Sequence, residues 1–352
     1  MAVPELLRAL LTAPGPSGYE SAPAAVWRES ASTFAEVTSD AMGSSVARVR
    51  GSGDGPLLAV LGHIDEIGLI VTHADEKGFL YFRGVGGWRG EVLRGQRVEL
   101  ITREGRIPGV VAKKGGARRR KQDEEKPTEL DDLHIDIGAR DRDEARGLVR
   151  LGDIAVIAGE PVELPNRRLV SRALDNRLGA YIALEAARLI AEGERPAGDF
   201  AAVAAVQEEV GDFAGARTSV FALEPQVALA VDVTDTTDIP EGDPKVAGEA
   251  MLGEGPVINR GSTINPKVFE LLVEAAEAEG ISFSINVSTG TTSTDMDAAH
   301  VSRAGLATGL VSIPTRYIHT PTELVSLDDV DGAARLVAAF ARRLEPGTDF
   351  TR

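Results

Sequence analysis

A chain of 352 residues with 43% hydrophobic content can bury a large core and is long enough for two structural units. Its 38 basic and 54 acidic residues leave a formal charge of −16, which disfavours nucleic acid and anionic membranes as partners through long-range repulsion. Cysteine is absent, which excludes disulfides, thiolate metal sites and a cysteine nucleophile.

Taken in order, the N-terminal stretch lacks the basic region and long apolar core of a signal peptide. No apolar run reaches membrane-spanning length, so a soluble cytoplasmic protein is expected. The i, i+3, i+4 spacing of Leu6, Leu7, Leu10 and Leu11 predicts a helix over 4–12. A turn at Gly15-Pro16-Ser17-Gly18 leads to a helix over 22–34 and a hairpin of strands 37–40 and 45–49. Residues 57–71 read as a strand whose first, apolar part ends in His63, Ile64, Asp65 and Glu66. From 68 to 169, short β-type runs at 80–82, 97–101, 109–112 and 154–158 alternate with glycine turns, which predicts an inserted β-rich barrel or sandwich. Within it, Arg118-Arg119-Arg120-Lys121 is followed at once by Asp123-Glu124-Glu125, so the charged segment 113–126 reads as a mobile solvated loop.

Beyond 169 the alternation of strand and helix returns. Asp175 lies near the start of a helix over 176–192, and strands 200–206 and 227–231 flank a helix over 214–221. A helix over 266–279, a strand over 283–287 and a loop leading to Asp295 follow. The chain closes with a helix over 326–344, whose Asp328, Asp329 and Asp331 favour its N-terminus. The expected organisation is α/β, with residues 1–67 and 170–352 forming one unit interrupted by 68–169.

Four apolar runs deliver a metal-ligand residue type at or soon after their C-terminal ends: His63, the pair Glu208-Glu209, Asp232 and His319. Such strand ends form the rim of the ligand crevice in open α/β sheets. Each residue alone is compatible with a solvated loop, and Asp175 with a helix cap; together they point to a shared site. His63, Asp175, Glu209, Asp232 and His319 are nitrogen and oxygen donors without sulfur, which suits zinc, cobalt or manganese. These exceed what one tetrahedral ion takes, and a shared carboxylate can serve two ions roughly 3.5–4 Å apart. Glu208, adjacent to Glu209 and pointing away from it on an extended backbone, is the candidate general base. Asp65, two residues from His63, is placed to orient an imidazole. Arg260, Lys267 and Arg316 are candidates for a positive wall facing acidic substrate side chains.

The motifs Pro16-Ser17-Gly18-Tyr19-Glu20, Gly62-His63-Ile64-Asp65-Glu66-Ile67-Gly68, Ala173-Leu174-Asp175-Asn176-Arg177, Gln207-Glu208-Glu209-Val210-Gly211, Val231-Asp232-Val233-Thr234 and Arg316-Tyr317-Ile318-His319-Thr320-Pro321 resemble, in the same order, those of family 42 of the metallopeptidases. The resemblance implies a zinc-exopeptidase-like catalytic domain, a mixed sheet flanked by helices, and aminopeptidase activity on short peptides with a free N-terminus. It implies two divalent ions per subunit, zinc or cobalt foremost, with Asp175 bridging, His63 and Asp232 on one ion, and Glu209 and His319 on the other. Glu208 becomes the acid/base and Asp65 the carboxylate behind the site. Gly86-Gly87-Trp88 and Ile135-Asp136-Ile137-Gly138-Ala139 are similar to that family's dimerisation domain, and the family forms twelve-subunit shells from dimers. Two stretches depart from the pattern: 210–216 is one residue longer, and Thr292-Ser293-Thr294-Asp295-Met296-Asp297 replaces glycines by bulkier, more acidic residues. The alternatives are an endoglucanase-type glycoside hydrolase, since glycosidases use paired carboxylates, and a metal-binding shell protein without catalysis.

Overall fold

A computed structural model of the chain describes residues 3–114 and 127–352. Most of the charged segment read as a mobile loop, 115–126, lies outside the described residues.

The apolar runs stack as four adjacent parallel strands, in the order Phe200–Ala205, Leu58–His63, Val227–Asp235 and Ala307–Arg316. Every residue of the first two is buried, which is why they read as continuous apolar runs rather than alternating ones. The two faces feed different cores. Leu58 and Val60 pack with helix Leu174–Glu192 and the C-terminal helix Leu327–Arg342, whereas Ala59 and Leu61 pack under helices Ala214–Leu223 and Asp295–His300. Antiparallel strands extend the sheet at both sides: Ser45–Val49 and Glu36–Ser39 at one, Glu323–Ser326, Arg168–Ser171 and Val162–Leu164 at the other. The result is the expected α/β class, a mixed sheet between helices.

The sheet and its longest helix meet through glycine. A Cβ at Gly62 would lie 2.0 Å from the carbonyl carbon of Gly179, and one at Gly179 would lie 2.2 Å from the Val231 oxygen. Leu174–Glu192 thereby approaches the strands on which His63 and Asp232 sit more closely than any side chain would allow.

The inserted stretch closes on itself. Strands Gly68–Ala74, Leu80–Val85, Leu133–Asp136, Gly105–Lys113, Arg97–Thr102 and Ile154–Ile157 form a barrel, sealed by pairing of the last with the first. Its separate core includes Leu69, Leu80, Phe82, Leu100, Val111 and Ile135.

Two expectations are corrected. The strand over 57–71 is cut after His63, because Gly68–Ala74 pairs within the barrel while Leu58–His63 stays in the large sheet. The insertion ends before 169, since Val162–Leu164 and Arg168–Ser171 are hydrogen-bonded into the large sheet through Glu323–Ser326. No helix among the described residues is long and apolar enough to cross a membrane.

Candidate active site

The parallel strands deliver their terminal residues to one place. His63 ends Leu58–His63, and Asp232 lies near the end of Val227–Asp235. Asp175 belongs to the first turn of Leu174–Glu192, but it and Asn176 leave helical geometry and are joined by a cis peptide. The Asn176 side chain donates to the Val231 carbonyl at 2.8 Å and accepts from the Gly179 amide at 2.8 Å, tying this irregular turn to the strand that carries Asp232. After Phe200–Ala205 the chain turns sharply at Gln207, whose φ of 58° is left-handed, and Glu208–Asp212 makes one wide helical turn. His319, also left-handed at 60°, follows strand Ala307–Arg316.

All of the residues expected in the site converge. His63 Nε2 is 3.1 Å from Asp175 Oδ1, 3.7 Å from Glu208 Oε2 and 4.0 Å from Asp232 Oδ1. His319 Nε2 is 3.3 Å from Asp175 Oδ2 and 3.1 Å from Glu209 Oε2. Asp175 thus divides its two oxygens between the two imidazoles. Behind His63, Nδ1 is 3.4 Å from Asp65 Oδ1. One expectation changes: Glu208 and Glu209 occupy a turn rather than extended backbone, and Glu208 does not face away. Its donor atom groups with those of His63 and Asp232 within 4.8 Å, as those of Asp175 and Glu209 do with His63.

These donors fit divalent ions. Atoms bound about 2.1 Å from a tetrahedral ion lie about 3.4 Å from one another, and the spacings above bracket that value. Glu209 Oε1 is buried and has no hydrogen-bond partner, which leaves a lone-pair donor available on the His319 side.

The electrostatics follow from five carboxylates, Asp65, Asp175, Glu208, Glu209 and Asp232, crowding two imidazoles. Burial opposes the charge of His63, but Glu208, Asp175 and Asp65 outweigh it and hold its pKa well above the ordinary histidine value. Hydrogen bonds to Asp175 and Glu209 push His319 up to about 11. Burial works against ionisation of Asp175 too, yet His319 and His63 hold its carboxyl well below the usual range. Asp232 is raised well above that range by burial, with Asp175 and Glu208 adding to it. Glu208 is pushed up to about 8, chiefly by burial and further by Asp295, Glu209 and Asp175, against the pull of His63.

Three residues to which the sequence reading gave no role in the site belong to the same constellation. Glu323 is 2% exposed, and its carboxylate accepts the Asp175 amide at 3.1 Å and the His319 amide at 3.0 Å. Its position four residues after His319 was the available signal. Asp295 is buried with both carboxylate oxygens unpartnered, and burial pushes it up to about 7. The Ser17 hydroxyl donates to Asp65 Oδ2 at 2.5 Å. The barrel contributes a wall: a Cβ at Gly87 would stand 2.9 Å from His319 Nδ1, and one at Gly86 3.4 Å from the Glu209 Cβ.

Of Arg260, Lys267 and Arg316, the candidates for a positive wall, two have close partners. Arg316 is paired with Asp238 at 2.7 Å, and the Arg260 guanidinium lies over the Phe269 ring at 5.1 Å.

Comparison with known proteins gives one consistent result. The sequence model described as M42 glutamyl aminopeptidase matches residues 43–336. The lysyl aminopeptidase of Pyrococcus furiosus is 35% identical over 354 residues, covering 99% of both chains. Among solved structures, the TET aminopeptidase of a marine-sediment thaumarchaeon superposes with a TM-score of 0.92 at 34% identity, covering 97% of this chain and 96% of that one. The Pyrococcus horikoshii TET1 peptidase, which can assemble into a tetrahedron or a large octahedral shell, superposes with a TM-score of 0.85 at 30% identity, covering 97% and 99%.

Proposed function

The chain belongs to the M42 glutamyl aminopeptidase family, whose members are hydrolases acting on peptide bonds, and from that premise we propose that it is a two-ion metallo-aminopeptidase removing single residues from the free N-termini of short peptides. The observation that carries this reading is Asp175, which presents one oxygen to His63 and the other to His319. His63, Asp232 and Asp175 would hold one ion, and Glu209, His319 and Asp175 the other. Donors of nitrogen and oxygen alone favour zinc or cobalt, with manganese also suited. When bound, such ions supply Lewis acidity that polarises the scissile carbonyl and lowers the pKa of water.

The protein's own groups do the rest. Glu208, buried at the rim beside His63, accepts a proton from the attacking water and returns it to the departing amine. Asp65, 3.4 Å from Nδ1 of His63, is the carboxylate behind the site that would orient this ring. Glu323 locks the backbone of Asp175 and His319. A glycosidase pair must flank the sugar from two sides, roughly 5–9.5 Å apart; here each glutamate faces an imidazole instead.

The relatives' assembly supports a homo-oligomer, with the barrel as the dimerisation element. The test is hydrolysis of a peptide panel with free and acetylated N-termini, before and after chelation and again with added zinc or cobalt. Metal-dependent release of single residues from free peptides alone is the expected result. Cleavage that survives chelation, or that is equal on blocked peptides, overturns the reading.

A further inference from the structure

Three consecutive amides of the turn that carries both glutamates are held by two carboxylates. The Gln207 amide donates to Glu20 Oε1 at 3.1 Å, the Glu208 amide to Asp65 Oδ1 at 3.2 Å and the Glu209 amide to Asp65 Oδ2 at 3.1 Å. Gln207 is a non-glycine residue in the left-handed region, a conformation that persists only where the surroundings impose it. The groups that impose it on its N-terminal side come from the far end of the sequence.

Glu20 is the residue immediately before helix Ser21–Ala31, where a side chain would ordinarily cap that helix. It makes no such bond. Its carboxylate instead accepts the Gly18 amide at 2.6 Å and reaches Gln207, 187 positions away. Ser17, from the same short segment, fixes the second carboxylate by donating its hydroxyl to Asp65 Oδ2 at 2.5 Å. The segment has a rigid seat. The Ser17 amide donates to the Glu66 carbonyl at 3.2 Å, the Glu66 amide to the Gly15 carbonyl at 3.1 Å, and the Gly15 amide to the Glu66 carboxylate at 3.0 Å. Arg177, fully buried, closes the arrangement at 3.1 Å from that carboxylate.

We infer that Ser17 and Glu20 are positioning residues for catalysis, setting the aim of Glu208 through the amides of 207–209 and through Asp65. The inference rests on the assignment of Glu208 as the base. It distinguishes this segment from an ordinary staple of the fold, since Glu20 borders a cavity of about 640 Å³. Shortening its side chain enlarges an existing space rather than collapsing a packed core.

The test uses the metal-loaded enzyme and four variants, Ser17→Ala, Ser17→Thr, Glu20→Ala and Glu20→Gln, with Glu208→Gln as reference. Turnover, KM, metal content by mass spectrometry and thermal midpoint are measured together. Displacing a reacting group by a fraction of an ångström to 1 Å lowers turnover by up to about 10²-fold. Ser17→Ala and Glu20→Ala should therefore lose about 10- to 100-fold in kcat, with KM and both ions retained. Ser17→Thr keeps the hydroxyl, and Glu20→Gln keeps an oxygen that accepts the same two amides, so both should recover most of the loss. A kcat near wild type in the alanine variants, with Glu208→Gln inactive, overturns this inference alone. Loss of fold or metal in both alanine variants, or a loss in Glu20→Gln equal to that in Glu20→Ala, overturns it as well. Retained turnover in Glu208→Gln overturns the assigned base and this inference with it.

Discussion

Replacing Glu323 by glutamine should loosen one ion more than the other. The carboxylate holds the amides of Asp175 and His319 with one oxygen each, at 3.1 and 3.0 Å. Glutamine keeps one acceptor but turns an NH₂ group toward the other amide, so one bond is lost and a donor faces a donor. A hydrogen bond to a charged group contributes about 1.5–3 kcal/mol, and each 1.4 kcal/mol is about tenfold in affinity. An affinity loss of about 10- to 100-fold is expected for the ion on the His319 side. The ion on the His63 and Asp232 side shares only Asp175 and should change less. Equilibrium dialysis against a competing chelator, with metal counted by mass spectrometry, resolves the two steps. If both affinities stay within about twofold of wild type, the clamp does not orient the ligands and the reasoning fails.

Glu208→Gln should retain both ions and lose about 10²–10⁴-fold in kcat, the range for a general base; loss of metal from that variant would make Glu208 a ligand. Metal affinity should climb as pH rises from 6 to 9. His63 and His319 have raised pKa values, so each holds a proton that an ion must displace, and each displaced proton adds about one log unit per pH unit. Calorimetric titrations in buffers of different ionisation enthalpy would show the released protons, and a pH-independent affinity would contradict this. Gly62→Ala should destabilise the chain by about 3 kcal/mol or more in urea unfolding, because its methyl would stand 2.0 Å from the Gly179 carbonyl carbon. Arg316→Ala should leave the ratio of glutamyl to leucyl substrate turnover unchanged, since its charge is already neutralised by Asp238; a marked change in that ratio would restore it to the substrate wall.

The parts of the site legible in the sequence are those carried by buried strands. Leu58–His63 and Phe200–Ala205 announce themselves as uninterrupted apolar runs, and the polar residues at their ends are exposed to notice by contrast. His63, Asp232 and the glutamate pair were found that way. What stayed hidden depends on contacts between distant positions. Nothing local to Gln207 announces a left-handed turn, because its geometry is imposed by Glu20 and Asp65. Glu323 is an ordinary glutamate in sequence, and only the fold brings two ligand amides to it. The end of the insertion was misjudged for a related reason: Val162–Leu164 is three exposed residues, and pairing with Arg168–Ser171 alone makes it part of the large sheet.

The glycine at 87 gives the small unit a hold on the chemistry of the large one. Most of the donors stand on the large sheet or its helix, but the imidazole of His319 rests against barrel backbone with no side chain between them. A protomer whose barrel has not yet seated would carry every donor and still lack a buttress for one of them. The position of one donor on the large unit is thus tied to the seating of the small one. Filling that contact, as in Gly87→Val, offers a way to uncouple architecture from hydrolysis: a folded chain with a displaced histidine.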